Sequence, residues 1–202
     1  MNRLPLRNRV TATGEIVAHP ARGMFMGNRG VLHDDKRELG HAVWKHKAWI
    51  TCTLVWKDWK RVPMTPGAYT ELFFLDEAVA LAAGHRPCAL CRRPSYNAYL
   101  AAIEHAGMAS DLDRRLHRER AIPRRFEQRR HKSAIATLPD GAMILTDAPY
   151  LVSGNTLRPV TPEGYGAPRE RPVDGYVSVL TPETSIIALK RGYRPKLHVS
   201  AL

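Results

Sequence analysis

The order of apolar and polar positions divides the chain into stretches of different character. Residues 1–47 are interrupted by Gly14, Pro20, Gly23, Gly27, Gly30 and Gly40, so only short strands are predicted there, at Glu15–Ala18 and around Met24–Met26. The run Ala48–Trp56 is rich in β-branched and aromatic residues and predicts a strand, with Lys60–Met64 as its hairpin partner. After the turn Thr65-Pro66-Gly67, Glu71–Leu75 is a third strand. Asp76 is placed to cap a helix over Glu77–Ala83, and Gly84 to end it in the left-handed conformation. Pro94 starts a second helix that runs to about His105, with Tyr96, Tyr99, Leu100 and Ile103 on one face.

Beyond residue 108 the pattern changes. Residues 109–133 are dense in charge, with acidic residues spaced for i,i+4 pairing, so a basic arm that is partly helical is expected. From Leu138 short strands return, at Ala142–Leu145, Tyr150–Val152, Leu157–Val160 and Val177–Leu180, with turns at Asp140-Gly141 and Gly154-Asn155. Glu183–Lys190 reads as a last helix ending at Gly192. The resulting expectation is an α+β protein in three parts: residues 1–108, a basic helical arm at 109–137, and a β-rich part at 138–202 packed on the first. The chain carries no internal repeat.

Composition narrows the function. A net charge of +12 and a pI near 10.1 favour a polyanionic partner, and nucleic acid is the expected one, DNA ahead of RNA. No apolar run approaches the roughly 20 residues that span a bilayer, and the basic N-terminus lacks an apolar signal core, so a cytoplasmic, non-membrane protein is expected. Three cysteines do not make a disulfide framework and fit metal-binding thiols in a reducing compartment. A P-loop, a dinucleotide fingerprint, G-x-S-x-G and H-E-x-x-H are all missing, which argues against the common nucleotide-dependent and protease classes.

The chemistry concentrates in His85-Arg86-Pro87-Cys88-Ala89-Leu90-Cys91-Arg92-Arg93. C-x-x-C directs two thiolates at one ion from a tight turn, which suits tetrahedral zinc. The segment Phe74–Cys91, with Ala80-Leu81-Ala82-Ala83-Gly84 running into Arg86-Pro87-Cys88-x-x-Cys91, resembles the zinc domain of the Ada family of DNA alkylation repair proteins. The resemblance covers roughly residues 49–94 and extends weakly to Trp49-Ile50-Thr51-Cys52. It implies a zinc ion held by four cysteines on a small mixed sheet with helices, the strand cysteine taking a methyl group from a DNA phosphotriester. Cys88, Cys91 and Cys52 match three of these positions. The fourth falls on Trp56, which cannot ligate. Replacing one thiolate makes the site less negative and its sulfur less nucleophilic. The candidates for the vacant ligand are His33, His46, His41, His85 and Asp34, of which His33, after the turn Gly27–Gly30, is the expected one.

The expected function is therefore a zinc-stabilised nucleic-acid-binding protein, in DNA repair or processing. The rivals are a metal-dependent nuclease or base-processing hydrolase with an open zinc position, and a structural zinc module for a protein partner. Phosphate contacts are expected from Arg86, Arg92 and Arg93 beside the cysteines, and from Arg114, Arg115, Arg118, Arg124, Arg125, Arg129, Arg130 and Lys132 in the arm. For a catalytic role the sequence offers Glu71, which alternation turns inward toward the metal side, and His131 and His198.

Overall fold

The structure, a computed structural model, describes residues 4–59 and 62–202. β1 (Arg7–Val10) folds back on β2 (Ile16–Ala18). With β3 (Phe25–Asn28), β4 (Ile50–Cys52), β5 (Leu72–Phe74) and β6 (Arg86–Pro87), they form a six-stranded mixed sheet in the order β2-β1-β5-β3-β4-β6. β1 lies parallel to β5 and β4 parallel to β6, whereas β3 is antiparallel to both its neighbours. Strand alternation gives this sheet two different faces. Val10, Phe25, Leu72 and Phe74 are buried on one, while Arg9, Phe73, Met26 and Cys52 form a half-exposed row on the other.

Helix α1 (Glu77–Ala82) follows β5, and α2 (Arg93–Ala102) follows β6. The expected basic arm is not one element. Its first half is α3 (Ala109–Arg120), which buries Leu112, Asp113, Leu116 and Arg120. A small hairpin of β7 (Ala121–Ile122) and β8 (Glu127–Gln128) comes next. β9 (His131–Ala134) then joins the second sheet. There β10 (Met143–Leu145), β11 (Pro149–Ser153), β12 (Thr156–Thr161) and β13 (Gly164–Tyr165) form an antiparallel meander. β14 (Arg169–Glu170) pairs with β12, and β15 (Tyr176–Val179) lies between β10 and β9. α4 (Glu183–Lys190) is the last α-helix, and a short 3-10 turn follows at Val199–Ala201. The architecture is thus α+β with a β-rich C-terminal part.

Two apolar clusters join these layers. One links Val10, Phe25 and Phe74 of the first sheet through Val79 of α1 to Met143, Leu151 and Val160 of the second. The other packs Tyr99, Leu112 and Leu116 against Ile144, Val152 and Leu189. All six residues of α1 are buried, so both of its ends must be satisfied by protein.

At the N-terminus of α1, Asp76 Oδ1 accepts the Val79 N–H (2.9 Å), while Oδ2 accepts from Tyr165 Oη (2.8 Å) and the His198 N–H (3.0 Å). Glu77 accepts from Tyr193 Oη and the Lys196 N–H and pairs with Arg92 (2.7 Å). At the other end, Gly84 N–H bonds to Leu81 O and His85 N–H to Ala80 O, a Schellman ending. The carbonyls left over go to side chains. Gln128 Nε2 donates to Ala82 O (2.7 Å), Arg29 to Ala83 O (3.2 Å) and Arg120 to Gly84 O.

Two strand expectations change, and one strand was not expected. The Ala48–Trp56 strand shortens to Ile50–Cys52, because pairing with β3 stops there. Of its expected hairpin partner, Lys60 and Arg61 lie outside the described residues, and Val62–Met64 is not a strand. β1 carries little apolar signal, since Val10 is the one apolar residue in Arg-Asn-Arg-Val, and it gains its place by pairing with β5.

Gly84 offers a direct test of this arrangement. It has a φ of +85°, and a Cβ there would come within 2.3 Å of Arg120 Cδ. Gly84→Ala should therefore lower unfolding free energy by at least about 2 kcal/mol in urea titrations. Unchanged stability would show that Arg120 is not seated against this turn.

Candidate metal centre

β4 and β6 bring the cysteines together. Their parallel ladder places Thr51 opposite Pro87, and the Cys88 N–H donates to Thr51 O (2.9 Å). Cys52, the last residue of β4, and Cys88, the first residue after β6, follow this pair, so they lie side by side at the end of the ladder. The chain then turns through Ala89 and Leu90. The Leu90 N–H points at Cys88 Sγ (3.4 Å), and the Arg92 N–H closes the turn on Cys88 O (3.2 Å). Cys91 sits one residue before Arg92, the N-cap of α2.

The three Sγ atoms lie within 4.8 Å of one another. Tetrahedral zinc with bonds of about 2.3 Å needs sulfurs roughly 3.8 Å apart, a spacing compatible with this cluster. The charge balance also favours a cation. Cys88 is held well below the usual thiol range by sulfur hydrogen bonds from Cys52 and Cys91 and by the Leu90 N–H. Cys52 is pushed up, because it donates to its neighbours and a second thiolate beside the first is repelled. Three thiols this close share little negative charge unless a metal neutralises it. The donor set thus fits a thiophilic metal such as zinc.

Among the described residues no fourth histidine, cysteine or carboxylate joins the cluster. His33, the expected fourth ligand, is placed elsewhere. Its Nδ1 is 2.7 Å from Thr70 Oγ1 and its Nε2 3.2 Å from Thr65 O, so both ring nitrogens serve the loop that precedes β5. His46 bonds to Asn28 Oδ1 (3.2 Å), and Asp34 accepts the backbone N–H groups of Lys36 and Glu38. His41 lies edge-on to Phe126.

His85 is buried beneath the sheet. Its Nε2 accepts from Arg29 Nε (2.9 Å) and its Nδ1–H donates to Ile50 O (3.0 Å). Arginine can only donate, so this ring is neutral with the proton on Nδ1.

Two of the expected phosphate contacts are interior groups. Arg86 makes a bidentate pair with Asp113 at 2.8 Å through both nitrogens, and Arg92 pairs with Glu77; both arginines are buried. They brace α3 and α1 against the cysteine turn and are not open to a ligand. Arg114 and Arg115 pair within α3 with Asp111 and Glu119. Arg93, Arg118, Arg124, Arg125, Arg129, Arg130 and Lys132 are exposed, and of these Arg125 is paired, with Glu127.

The catalytic candidates do not converge on the sulfurs. Glu71 is buried, accepts the Met64 N–H (2.7 Å), and precedes β5, which is separated from β4 by β3. His131 lies on β9 opposite Val179, and His198 bonds to Ser200. What sequence reasoning missed is the pair Arg29 and Arg120, each buried and each over the Trp49 ring (4.2 and 4.1 Å). Their signal is faint, because nothing in the sequence separates a buried arginine from the many exposed ones.

His85 makes stability depend on pH in a predictable direction. Burial, then Arg29, holds its pKa well below 6.5, and burial holds His117 at about 4. The unfolded chain takes up these protons first, so their contribution is present above about pH 6.5 and lost as pH falls below it. His85→Phe should cost about 1–3 kcal/mol at pH 7 by stranding Arg29. It should also remove up to about 1.4 kcal/mol per pH unit from the acid slope between pH 6 and 5. An unaltered slope would contradict the neutral buried assignment.

Compared with known proteins, the chain matches no family model, no curated protein and no solved structure.

Proposed function

We propose that this chain is a zinc-stabilised nucleic-acid-binding protein, with Cys52, Cys88 and Cys91 as its metal ligands and a role in DNA repair or processing. The observation that carries the metal is the convergence of the three sulfurs from separate parts of the sequence. The Ada-type resemblance of Phe74–Cys91 points the same way, and its family supplies the repair context. Zinc bound there would tie β4 to the start of α2 and hold the turn that carries Leu90.

Nucleic acid as the partner is supported by charge and by the character of the sheet face. Cys52, Met26, Phe73 and Arg9 lie in register across β4, β3, β5 and β1, half-exposed. The row ends in a cleft of about 340 Å³ whose lining includes Arg9, Arg22, Phe73 and Leu54. The Arg9 guanidinium lies over the Phe73 ring at 4.9 Å. Arginine beside exposed aromatic and apolar surface suits phosphates and bases together. The exposed Arg124, Arg129 and Arg130 extend this charge on another side.

A second reading, a metal-dependent hydrolase, is favoured by the three-cysteine set, which leaves a fourth position for water. It has no general base at the sulfurs among the described residues, because Glu71, His33 and His85 are each committed to other partners and His131 and His198 lie on other elements.

The test combines both claims. The purified protein should carry about one zinc per chain, and Cys88→Ala should lose it. It should bind DNA with an affinity that falls steeply with salt, and Arg124→Glu, Arg125→Glu, Arg129→Glu and Arg130→Glu together should weaken binding by at least about tenfold at low salt. Folded, metal-free protein indifferent to chelators would reject the zinc claim. Failure to bind DNA at low salt would reject the partner.

A further inference from the structure

The β1–β2 and β7–β8 hairpins flank a cleft that ends on two buried cations. Arg29 follows β3 and Arg120 ends α3, and each is 1% exposed. Every acceptor they reach is neutral. For Arg29 these are His85 Nε2, Gly14 O and Ala83 O, and for Arg120 they are Gly84 O and Lys47 O. The carbonyl end of α1 offsets part of this charge, but a helix of six residues offers at most about half a charge. Two buried guanidinium groups without a carboxylate partner among the described residues are costly to hold. Burial pulls Arg29 down to about 9.

Two polar atoms are also unused. Arg120 Nε and Gln128 Oε1 are both buried and have no hydrogen-bond partner among the described residues. Their residues line one cavity of about 20 Å³, together with Arg29, Trp44 and Phe126. Gly14, Phe126 and Gln128 also line the larger outer cleft of about 690 Å³, where Arg7 and Arg130 stand. The inner cavity is the size of one water or one ligand atom. Of the carboxylates nearby, Asp113, whose field reaches Arg120, is held by both nitrogens of Arg86 (2.8 Å), Glu127 pairs with Arg125 (3.0 Å), and Glu15 accepts from Thr13 Oγ1 (3.3 Å) at the exposed rim. Phe126 is held with a φ of +55°, an uncommon conformation for a bulky residue, and packs against Trp44 at 4.8 Å.

We propose that this cleft binds a terminal phosphate, with one oxygen in the inner cavity at Arg120 Nε and the rest of the group in the outer cleft toward Arg7 and Arg130. The positive floor selects an anion. Gln128 Oε1 takes a donor, supplied by a P–OH where the phosphate is a monoanion and by a water in the inner cavity where it is a dianion; a backbone diester has no P–OH and fewer free oxygens. The same chemistry is presented by free inorganic phosphate and by the 5′-phosphate of a nucleic acid strand. The site shares no residue with the cysteine centre, so its failure and the failure of the zinc claim are separate results.

Gly14 gives a test that leaves the arginines in place. Its φ is +81°, which asparagine and aspartate tolerate better than other side chains, and a Cβ there meets nothing nearer than Gln128 at 3.6 Å. Gly14→Asn and Gly14→Asp share the backbone cost and differ in charge. Binding of inorganic phosphate would be measured by calorimetry on the purified full chain at constant ionic strength. The wild type should bind, and Gly14→Asp should bind at least about tenfold more weakly than Gly14→Asn, because its carboxylate occupies the arginines' field. A wild type that binds no phosphate, or Asn and Asp variants that bind equally, would overturn the proposal. Strands with a 5′-phosphate or a 5′-hydroxyl identify the source. Tighter binding of the phosphorylated strand, lost in Gly14→Asp, assigns the site to nucleic acid ends. Equal binding of both strands, with phosphate binding still sensitive to Gly14→Asp, assigns it to the free anion.

Discussion

A short, fully buried helix cannot leave its ends to water, and that constraint organises this protein. α1 meets it with side chains from distant parts of the chain. Asp76 and Glu77 at its start gather Tyr165, Tyr193, the Lys196 and His198 backbone and Arg92. Gln128, Arg29 and Arg120 take the carbonyls at its end. The first group ties the C-terminal segment to the first sheet, and the second ties α3 and the β7–β8 hairpin to it. α1 is therefore the element through which both sheets share a core.

The cysteine centre depends on the same frame. The chain leaves α1 at Gly84, passes the neutral His85 and enters β6, so the ending of the helix sets where Cys88 begins its turn. Arg86 and Arg92 flank the turn from inside, one paired to α3 and one to α1. Breaking a buried pair of this kind costs about 3–5 kcal/mol, because the partner is left charged in the interior. Three sulfurs are thus held from two sides before any metal binds. The half-exposed face beside them presents arginine with apolar surface, whereas the opposite face is core.

Much of this was legible in the sequence where the signal is local. Asp76 as a cap, the helix after it, Gly84 as its terminator and the paired cysteines are adjacent features with short-range physical causes, and the structure contains them. The α+β class followed from strand and helix periods. What failed was long-range. Arg86 and Arg92 looked like a phosphate-seeking patch because their carboxylates, Asp113 and Glu77, are named only by the fold. His33 looked free to ligate because Thr70 and Thr65 lie in a different loop. β1 was invisible because its strand character comes from its neighbour β5 and not from its own residues.

The central claim is that Cys52, Cys88 and Cys91 hold one zinc ion and that the fourth position is not a protein thiolate. X-ray absorption at the zinc edge of the purified full chain tests it most directly. The expected shell is about three sulfurs near 2.3 Å and one lighter atom near 2.0–2.1 Å. A shell without sulfur, or one containing four sulfurs, would contradict it.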